Sequence, residues 1–390
     1  MTEFEKREHD DDAEVPLWPT GSESKPVLTW PSFLNFWKNN YPSITVRPKG
    51  ADTCADCLKL LYSLKGSSSS PAGVQIEGEE AVEEAVENAI ADTDKRKQEA
   101  ERHVKAYKTQ RDFANWCIQE SRMDIRRNVS FKKRRHCLTI DMGQNLALPN
   151  FEGEQPGDTY YLSPITVCLF GSVDNSRAYN RNADRCIGED HMNAYIWHEQ
   201  DGKRGMNNIA SCLYKDYQRR GYFEGGKHED SLTVIADNCA GQNKNEAVIR
   251  FHLWLVEAGV FPTVRVVFLI KGHTKNAADR LFNLLKLDYH NRNIYTMAEM
   301  ITVLDKNDHV TVSQLGPNDF YDFQGTLNKY YRSLESSQTT RTHVFEILST
   351  APTVLRKQDI ATATVRTDNL LPTKRNKIAI FRPPPTKESL

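Results

Sequence analysis

The sequence predicts an α/β fold, a mixed sheet flanked by helices. Two nearly unbroken apolar runs, Leu232 to Ala236 and Val264 to Ile270, have the length and Val/Ile content of strands buried on both faces. A helix-length pattern from Glu246 to Ala258 fits between them and makes a βαβ crossover, and a second follows from Asn276 to Leu287. Each run ends in a polar, glycine-containing turn, DNCAGQNKN after the first and GHTKNAADRLF after the second. Open α/β sheets gather their sites just past the carboxyl ends of their strands. Asp237, His273 and Asp279 therefore stand where a site is expected.

The remaining elements follow in order. Residues 1–26 are charged, acidic and poor in apolar residues, which predicts a disordered tail. Trp30, Phe33, Phe36 and Trp37 give a short amphipathic helix, followed by an extended piece from Ser43 to Arg47. GSSSSPAG, residues 66–73, has linker composition. Residues 77–121 read as one long helix, with Val82, Val86, Ala89 and Ile90 at helical spacing and no Gly or Pro after Glu79. It suggests a helical hairpin or coiled-coil arm, which could serve a homodimer or hold DNA, although a solvated scaffold helix is the commoner case. Strands are expected at Cys137–Met142, Tyr160–Phe170 and Asn193–His198, then a helix at Met206–Tyr217. Beyond residue 290 a helix (Thr296–Leu304) and strands (His309–Val312, His343–Leu348, Lys377–Phe381) predict an accessory α+β region. The expected divisions are thus a tail (1–26), an N-terminal helical region (27–130), a core (131–290), an accessory region (291–382) and a second tail (383–390).

Composition narrows the function. The chain has 390 residues and a net charge of −1, so no global field draws in nucleic acid, and any such binding must come from local basic patches. Seven basic residues between Arg122 and Arg135 form one candidate, with Arg134 and Arg135 closing a KKRR cluster that resembles a nuclear-import signal. A charge run is more often a solvated face. No apolar run approaches the roughly 20 residues of a membrane span. The N-terminus lacks the apolar core of a signal peptide. Eight cysteines without a secretory signal favour reduced thiols and make Cys pairs metal candidates. An intracellular soluble protein is expected.

One acid asks for an explanation. Asp141 lies in LTIDMGQ, inside an expected strand, where an ionised carboxylate is costly unless paired. The order strand, strand, strand, helix, strand, helix, strand, helix over residues 137–287 is that of the ribonuclease H-like fold. There, acids on the first strand, after the fourth strand and on the last helix meet at one end of the sheet. Those places hold Asp141, Asp237 and Asp279. Three carboxylates together need a cation, and hard oxygen ligands select Mg²⁺ or Mn²⁺. Asp288 points to the opposite face of its helix from Asp279, Glu246 could orient the loop before it, and His273 is the leading auxiliary. Asp279, near a helix start, is also open to a purely capping role.

DMGQ, DNCAGQNKN and GHTKNAADRLF together resemble the core of a transposon-derived family of ribonuclease H-like domains related in layout to DDE/DDD transposases and integrases. The similarity spans roughly residues 30 to 330 and reaches upstream to RPKGADTCADC and a long helix with His103. The resemblance implies a nuclear enzyme that cuts or joins DNA, or RNA, with Asp141, Asp237 and Asp279 binding the catalytic metals and His273 assisting. It implies substrate or loop-shaping roles for Asn238, Gln242, Asn243 and Asn245, to which nearby Lys244 and Lys275 and the basic pair Arg134 and Arg135 are added as candidate phosphate contacts. The third acid is Asp where most transposases have Glu, so a catalytically inactive, domesticated interaction module is the alternative. A third alternative, hydrolysis of a small phosphorylated substrate through a nucleophilic Asp, has no independent support in the sequence.

A second metal is expected apart from this. Cys54 and Cys57 have zinc-knuckle spacing, and a structural Zn²⁺ site takes four ligands. His103 is the third by resemblance. Cys117, His136 or Cys137 could be the fourth, and spacing does not choose among them.

Overall fold

The computed structural model describes residues 35, 36, 39, 54, 57, 79–159, 161–176, 192–239, 241–334, 342–359 and 364–370. The chain divides into two compact units, Met1–Asp52 and Thr53–Leu390. In the first, Asn35, Phe36 and Asn39 are helical, within and just past the expected aromatic helix. Both expected tails, the extended piece at 43–47, the linker at 66–73, the hairpin partner of the long helix and the strand at 377–381 lie outside the described residues.

Among the described residues of the second unit, ten strands form one mixed sheet. They are β1 (His136–Met142), β2 (Leu146–Leu148), β3 (Ile165–Asp174), β4 (Met192–His198), β5 (Leu232–Ala236), β6 (Thr263–Phe268), β7 (Val310–Gln314), β8 (Val344–Leu348), β9 (Ala351–Asp359) and β10 (Thr364–Asn369). Their order is β10-β9-β8-β6-β5-β1-β3-β4-β7, with β2 on β3. The first long strands make an antiparallel meander, β1 with β3 and β3 with β4. Then β5 joins β1, and β6 joins β5, in parallel. β3 starts later than the sequence suggests because Pro164 cannot donate to a ladder, and pairing with β1 carries it on to Asp174.

The helices with described bounds are α1 (Glu79–Arg126), α2 (Met206–Arg219), α3 (Glu246–Glu257), α4 (Ala277–His290), α5 (Met297–Leu304) and α6 (Phe323–Leu327). α2, α3 and α6 bury Leu213, Trp254, Phe251 and Phe323 against Leu138, Ile140 and Phe170 on one face of the sheet. α4 covers β3 and β4 on the other face through Ala278, Phe282 and Leu285. The carboxyl half of α1 packs on that second face, with Ala114 and Cys117 against Cys137, Ile235 and Val267. This half is a buried layer of the core, not a free arm.

Alternation along β1 sends Leu138, Ile140 and Met142 into the first core, so Asp141 faces the α1/α4 side. Its register partner on β3 is Gly171. A Cβ there would come within 2.7 Å of Phe282, so the glycine lets α4 lie directly on the sheet beside Asp141.

The residues expected to form an accessory region packed on the core join its sheet at both edges. β7 adds to β4 in parallel and β8 adds to β6 antiparallel. Without them β4 and β6 would be edges with unpaired backbone groups.

Candidate functional site

The three sequence-predicted aspartates face one another at the carboxyl ends of β1 and β5. Asp141 ends β1, Asp237 follows β5 directly, and Asp279 is in the first turn of α4. Burial pushes the Asp141 carboxyl up to about 7, and the charges of Asp237 and Asp279 push it the same way. Its Oδ1 accepts from the Met142 amide at 2.8 Å. Burial also raises Asp237, opposed by a 2.6 Å hydrogen bond from Asn243 Nδ2 and by the Cys239 amide, and reinforced by Asp279. The carbonyl oxygen of the buried Asn243 side chain has no hydrogen-bond partner. Asp279 has a local task as well. Its Oδ2 accepts from the Asn276 amide at 2.9 Å, while Asn276 Oδ1 accepts from Ala278 and Asp279, closing a capping box. The Asn276 amide nitrogen is buried without a hydrogen bond of ordinary geometry and lies against the Asp141 carboxyl.

His273 belongs elsewhere. Among the described residues, Cys54, Cys57, His103 and His273 offer ligand atoms that all lie within 4.8 Å of one another. Cys54 Sγ is 3.5 Å from His103 Nε2, Cys57 Sγ is 3.4 Å from His273 Nε2, and the two Nε2 atoms are 3.1 Å apart. Around a tetrahedral ion with Zn-like bond lengths, S···N and N···N ligand separations are roughly 3.5 and 3.3 Å. The four residues thus form a Cys₂His₂ group with metal-ligand spacing. The imidazolium form of His273 is disfavoured by burial and by the charges of His103 and Arg111, which keeps a lone pair for an ion. Its ring stacks on Tyr107, with centroids 3.9 Å apart and planes within 9°.

The fourth ligand was expected from Cys117, His136 or Cys137, and none of them supplies it. Cys117 and Cys137 are packed under α1 with Ile235 and Val267, their thiols raised by burial. His136 Nε2 bonds to the Phe131 carbonyl at 2.9 Å within an aromatic cluster, and burial pushes its pKa down to about 4.

The chain reaches this geometry through α1. His103, Tyr107, Gln110, Ala114, Cys117 and Ser121 recur at steps of three and four and so share one face. Gln110 is buried and works as a short strand would, its Oε1 accepting from the Ile270 amide at 2.6 Å and its Nε2 donating to the Phe268 carbonyl. Arg111 donates to the His273 and Lys275 carbonyls at 2.9 and 3.5 Å. The turn itself needs Gly272, whose φ is +81° and whose missing Cβ would lie 2.7 Å from the Cys54 Cα. Gly272→Ala is therefore expected to weaken metal capture by at least about tenfold, since the left-handed backbone alone costs roughly 1–2 kcal/mol. Titration with Co²⁺, followed by its thiolate absorption bands, measures this.

The expected substrate contacts divide. Asn238 and Gln242 are partly exposed on the loop after β5, and Lys275 is exposed beside the Cys/His group. Lys244 is buried, its ammonium 5.6 Å from the Phe268 ring centre, and Asn245 is spent as the N-cap of α3, accepting from Val248. Glu246 turns away to Arg250 at 2.7 Å and the Leu334 amide. Arg134 and Arg135 precede β1 and so lie at the far end of that strand from Asp141, about 20 Å away at 3.3 Å per residue. Arg135 is held by Asp124 at 2.6 Å and by Glu120, and Arg134 lies over the Phe131 ring. Lys133 bridges to Glu229, and Lys132 bonds to His228.

Two members of the expected basic run, Arg122 and Arg126, join a residue that the sequence did not point to, Arg280. Arg122 and Arg126 are one turn apart on α1, and Arg280 of α4 lies near Arg122, whose Nε donates to the Asn175 carbonyl at 3.0 Å. The Arg122 guanidinium is disfavoured first by burial, then by the like charges of Arg126 and Arg280, with Cys137 opposing. Among the described residues no carboxylate forms an ion pair with any of the three. Helical spacing alone shows the first pair, but not that α4 brings Arg280 near Arg122.

These features define a mixed α/β protein with a Cys₂His₂ group and an acidic rim on one sheet. A family model described as a domain of unknown function (DUF7869) matches residues 186–362. That stretch contains Asp237, His273 and Asp279 but not Asp141, Cys54, Cys57 or His103. Comparison with curated proteins and with solved structures gives no match.

Proposed function

We propose that the protein is a transposon-derived, ribonuclease H-like polynucleotidyl transferase or nuclease that acts on DNA in the nucleus. The observation that carries this reading is the convergence of Asp141, Asp237 and Asp279 at a single rim, where the charges of Asp237 and Asp279 bear on Asp141 and that of Asp279 bears on Asp237. The strand order β4-β3-β1-β5-β6, antiparallel and then parallel, supports the ribonuclease H-like assignment. Arg122, Arg126 and Arg280 support contact with a phosphate backbone.

The acids and the unpartnered Asn243 oxygen suit a hard divalent cation, Mg²⁺ or Mn²⁺. When bound, such ions stabilise the attacking and leaving oxygens of a phosphodiester displacement. Asp141, Asp237 and Asp279 would hold them, Asn243 fixes the rotamer of Asp237, and Asn276 fixes that of Asp279. The Cys₂His₂ group suits Zn²⁺ in a closed structural site, because all four positions come from side chains.

Two observations favour a second reading, an inactive descendant that retains the fold as a nucleic-acid or protein interaction module. The Asp279 carboxylate already caps its own helix, and the three acids do not form a second ligand group as tight as the Cys/His one among the described residues. Incubation of the purified protein with DNA and Mn²⁺ or Mg²⁺ decides between them. The enzyme reading expects nicking or strand joining that EDTA stops, and anomalous density between the three aspartates in Mn²⁺-soaked crystals. Salt-sensitive DNA binding with no turnover in any divalent metal favours the module.

A further inference from the structure

We infer that the Cys₂His₂ group is a positioning device for the acidic rim, so that the metal it holds controls how tightly the aspartates bind theirs. This rests on the reading of Asp141, Asp237 and Asp279 as a divalent-cation site. Asp279 lies six positions after the ligand His273, and Lys275, Asn276 and Ala278 between them are tied by hydrogen bonds. Arg111 holds the carbonyls of His273 and Lys275. Asn276 caps α4 and is bonded in return by the Asp279 carboxylate. At the other end of the loop, Gln110 grips Phe268 and Ile270, and Gly272 packs on the backbone of Cys54.

The loop therefore leaves the sheet, turns at Gly272, is anchored at His273 and starts α4 three residues later with its cap. An ion bound by Cys54, Cys57, His103 and His273 fixes this path from both sides, because Cys54 and Cys57 come from the N-terminal segment and His103 from α1. Without the ion, no coordinate bond joins the N-terminal segment, α1 and the loop at this point, and the side chains are left with contacts of 3.1–3.5 Å. The anchor then loosens, and the Asn276–Asp279 cap moves with it. Asp279 is the acid that moves, since Asp141 is fixed on β1 and Asp237 is held at the end of β5 by Asn243. His273, Gln110 and Arg111 are thus positioning residues, and the two metal sites are thermodynamically linked.

The test compares zinc-loaded and zinc-stripped full-length protein, with Mn²⁺ affinity read by electron paramagnetic resonance and backbone opening by hydrogen exchange over residues 274–282. Zinc removal is expected to weaken Mn²⁺ binding by about tenfold or more and to speed exchange over that segment, leaving β1 and β5 unchanged. Arg111→Ala keeps all four ligands and alters an exposed contact. It is expected to retain one zinc per chain and still bind Mn²⁺ several-fold more weakly. In an Asp279→Asn background the zinc dependence of Mn²⁺ binding should disappear, which a merely structural zinc would not produce. Unchanged Mn²⁺ affinity and unchanged exchange in folded, zinc-free protein overturn the inference. If zinc-loaded protein binds no Mn²⁺ at all, the reading of the acidic rim fails, and exchange over 274–282 alone decides: faster on zinc removal upholds the positioning role, unaltered refutes it.

Discussion

Asp237→Asn is expected to abolish divalent-metal-dependent DNA cleavage, lowering turnover by at least about a thousandfold, the scale seen when one member of a charge-stabilising constellation is lost. The argument depends on what the substitution keeps. Asparagine is isosteric, and its carbonyl oxygen can accept the 2.6 Å bond that Asn243 Nδ2 now gives to Asp237 Oδ1. The loop from Cys239 to Asn245, and the N-cap that Asn245 provides for α3, are therefore preserved. What goes is one negative charge at the rim, and with it much of the attraction for a cation. A melting temperature no lower than the parent's, retained DNA binding and absent cleavage are the expected set. Undiminished cleavage by the variant would remove Asp237, and with it the acidic rim, from the mechanism.

How much of this was legible in the sequence follows from which forces are local. The strands β1, β4, β5 and β6 show as short apolar runs because both of their faces are buried. The helices between them show because only one stripe of each is. Asp141 was visible for the opposite reason, as a charge where the pattern allows none. His273 was misplaced because its direction is set by the positive φ of Gly272 and by the close approach of Cys54, more than 200 positions earlier, and spacing carries neither. Gln110 broke no local rule on a polar-rich helix, and its burial shows only once β6 ends beside it. Arg135 looked free because Glu120 and Asp124 lie on the preceding helix, and the chain doubles back after Arg126 through Asn128, at a φ of 55°.

Asp141→Asn is expected to do two opposite things, stabilise the metal-free protein and remove its response to divalent cations. In the folded chain the Asp141 carboxyl is pushed from its ordinary value of 3.8 to about 7, first by burial and then by Asp237 and Asp279. The folded state therefore holds a proton that the unfolded state has already released, and between about pH 4 and pH 7 stability falls as pH rises. Above pH 7 the full penalty is present, up to about 4 kcal/mol for a shift of roughly three units at 1.36 kcal/mol each. Asparagine carries no such charge and can still accept the Met142 amide at the Oδ1 position. Its melting temperature should exceed that of the parent at pH 8, and the difference should vanish near pH 4. Adding Mn²⁺ should raise the melting point of the parent, because a cation offsets the repulsion that raises the carboxyl, and leave the variant nearly unmoved. The buried histidines work in the other direction. His136 and His252 are each held near pKa 4 by burial, so their contribution is lost as pH falls below about 6.5 in parent and variant alike. They cancel in the comparison, so the gap between the two proteins isolates the acidic rim. A gap that does not widen between pH 4 and pH 7 would mean that Asp141 is not under electrostatic pressure, and a rim without that pressure has no need of a metal.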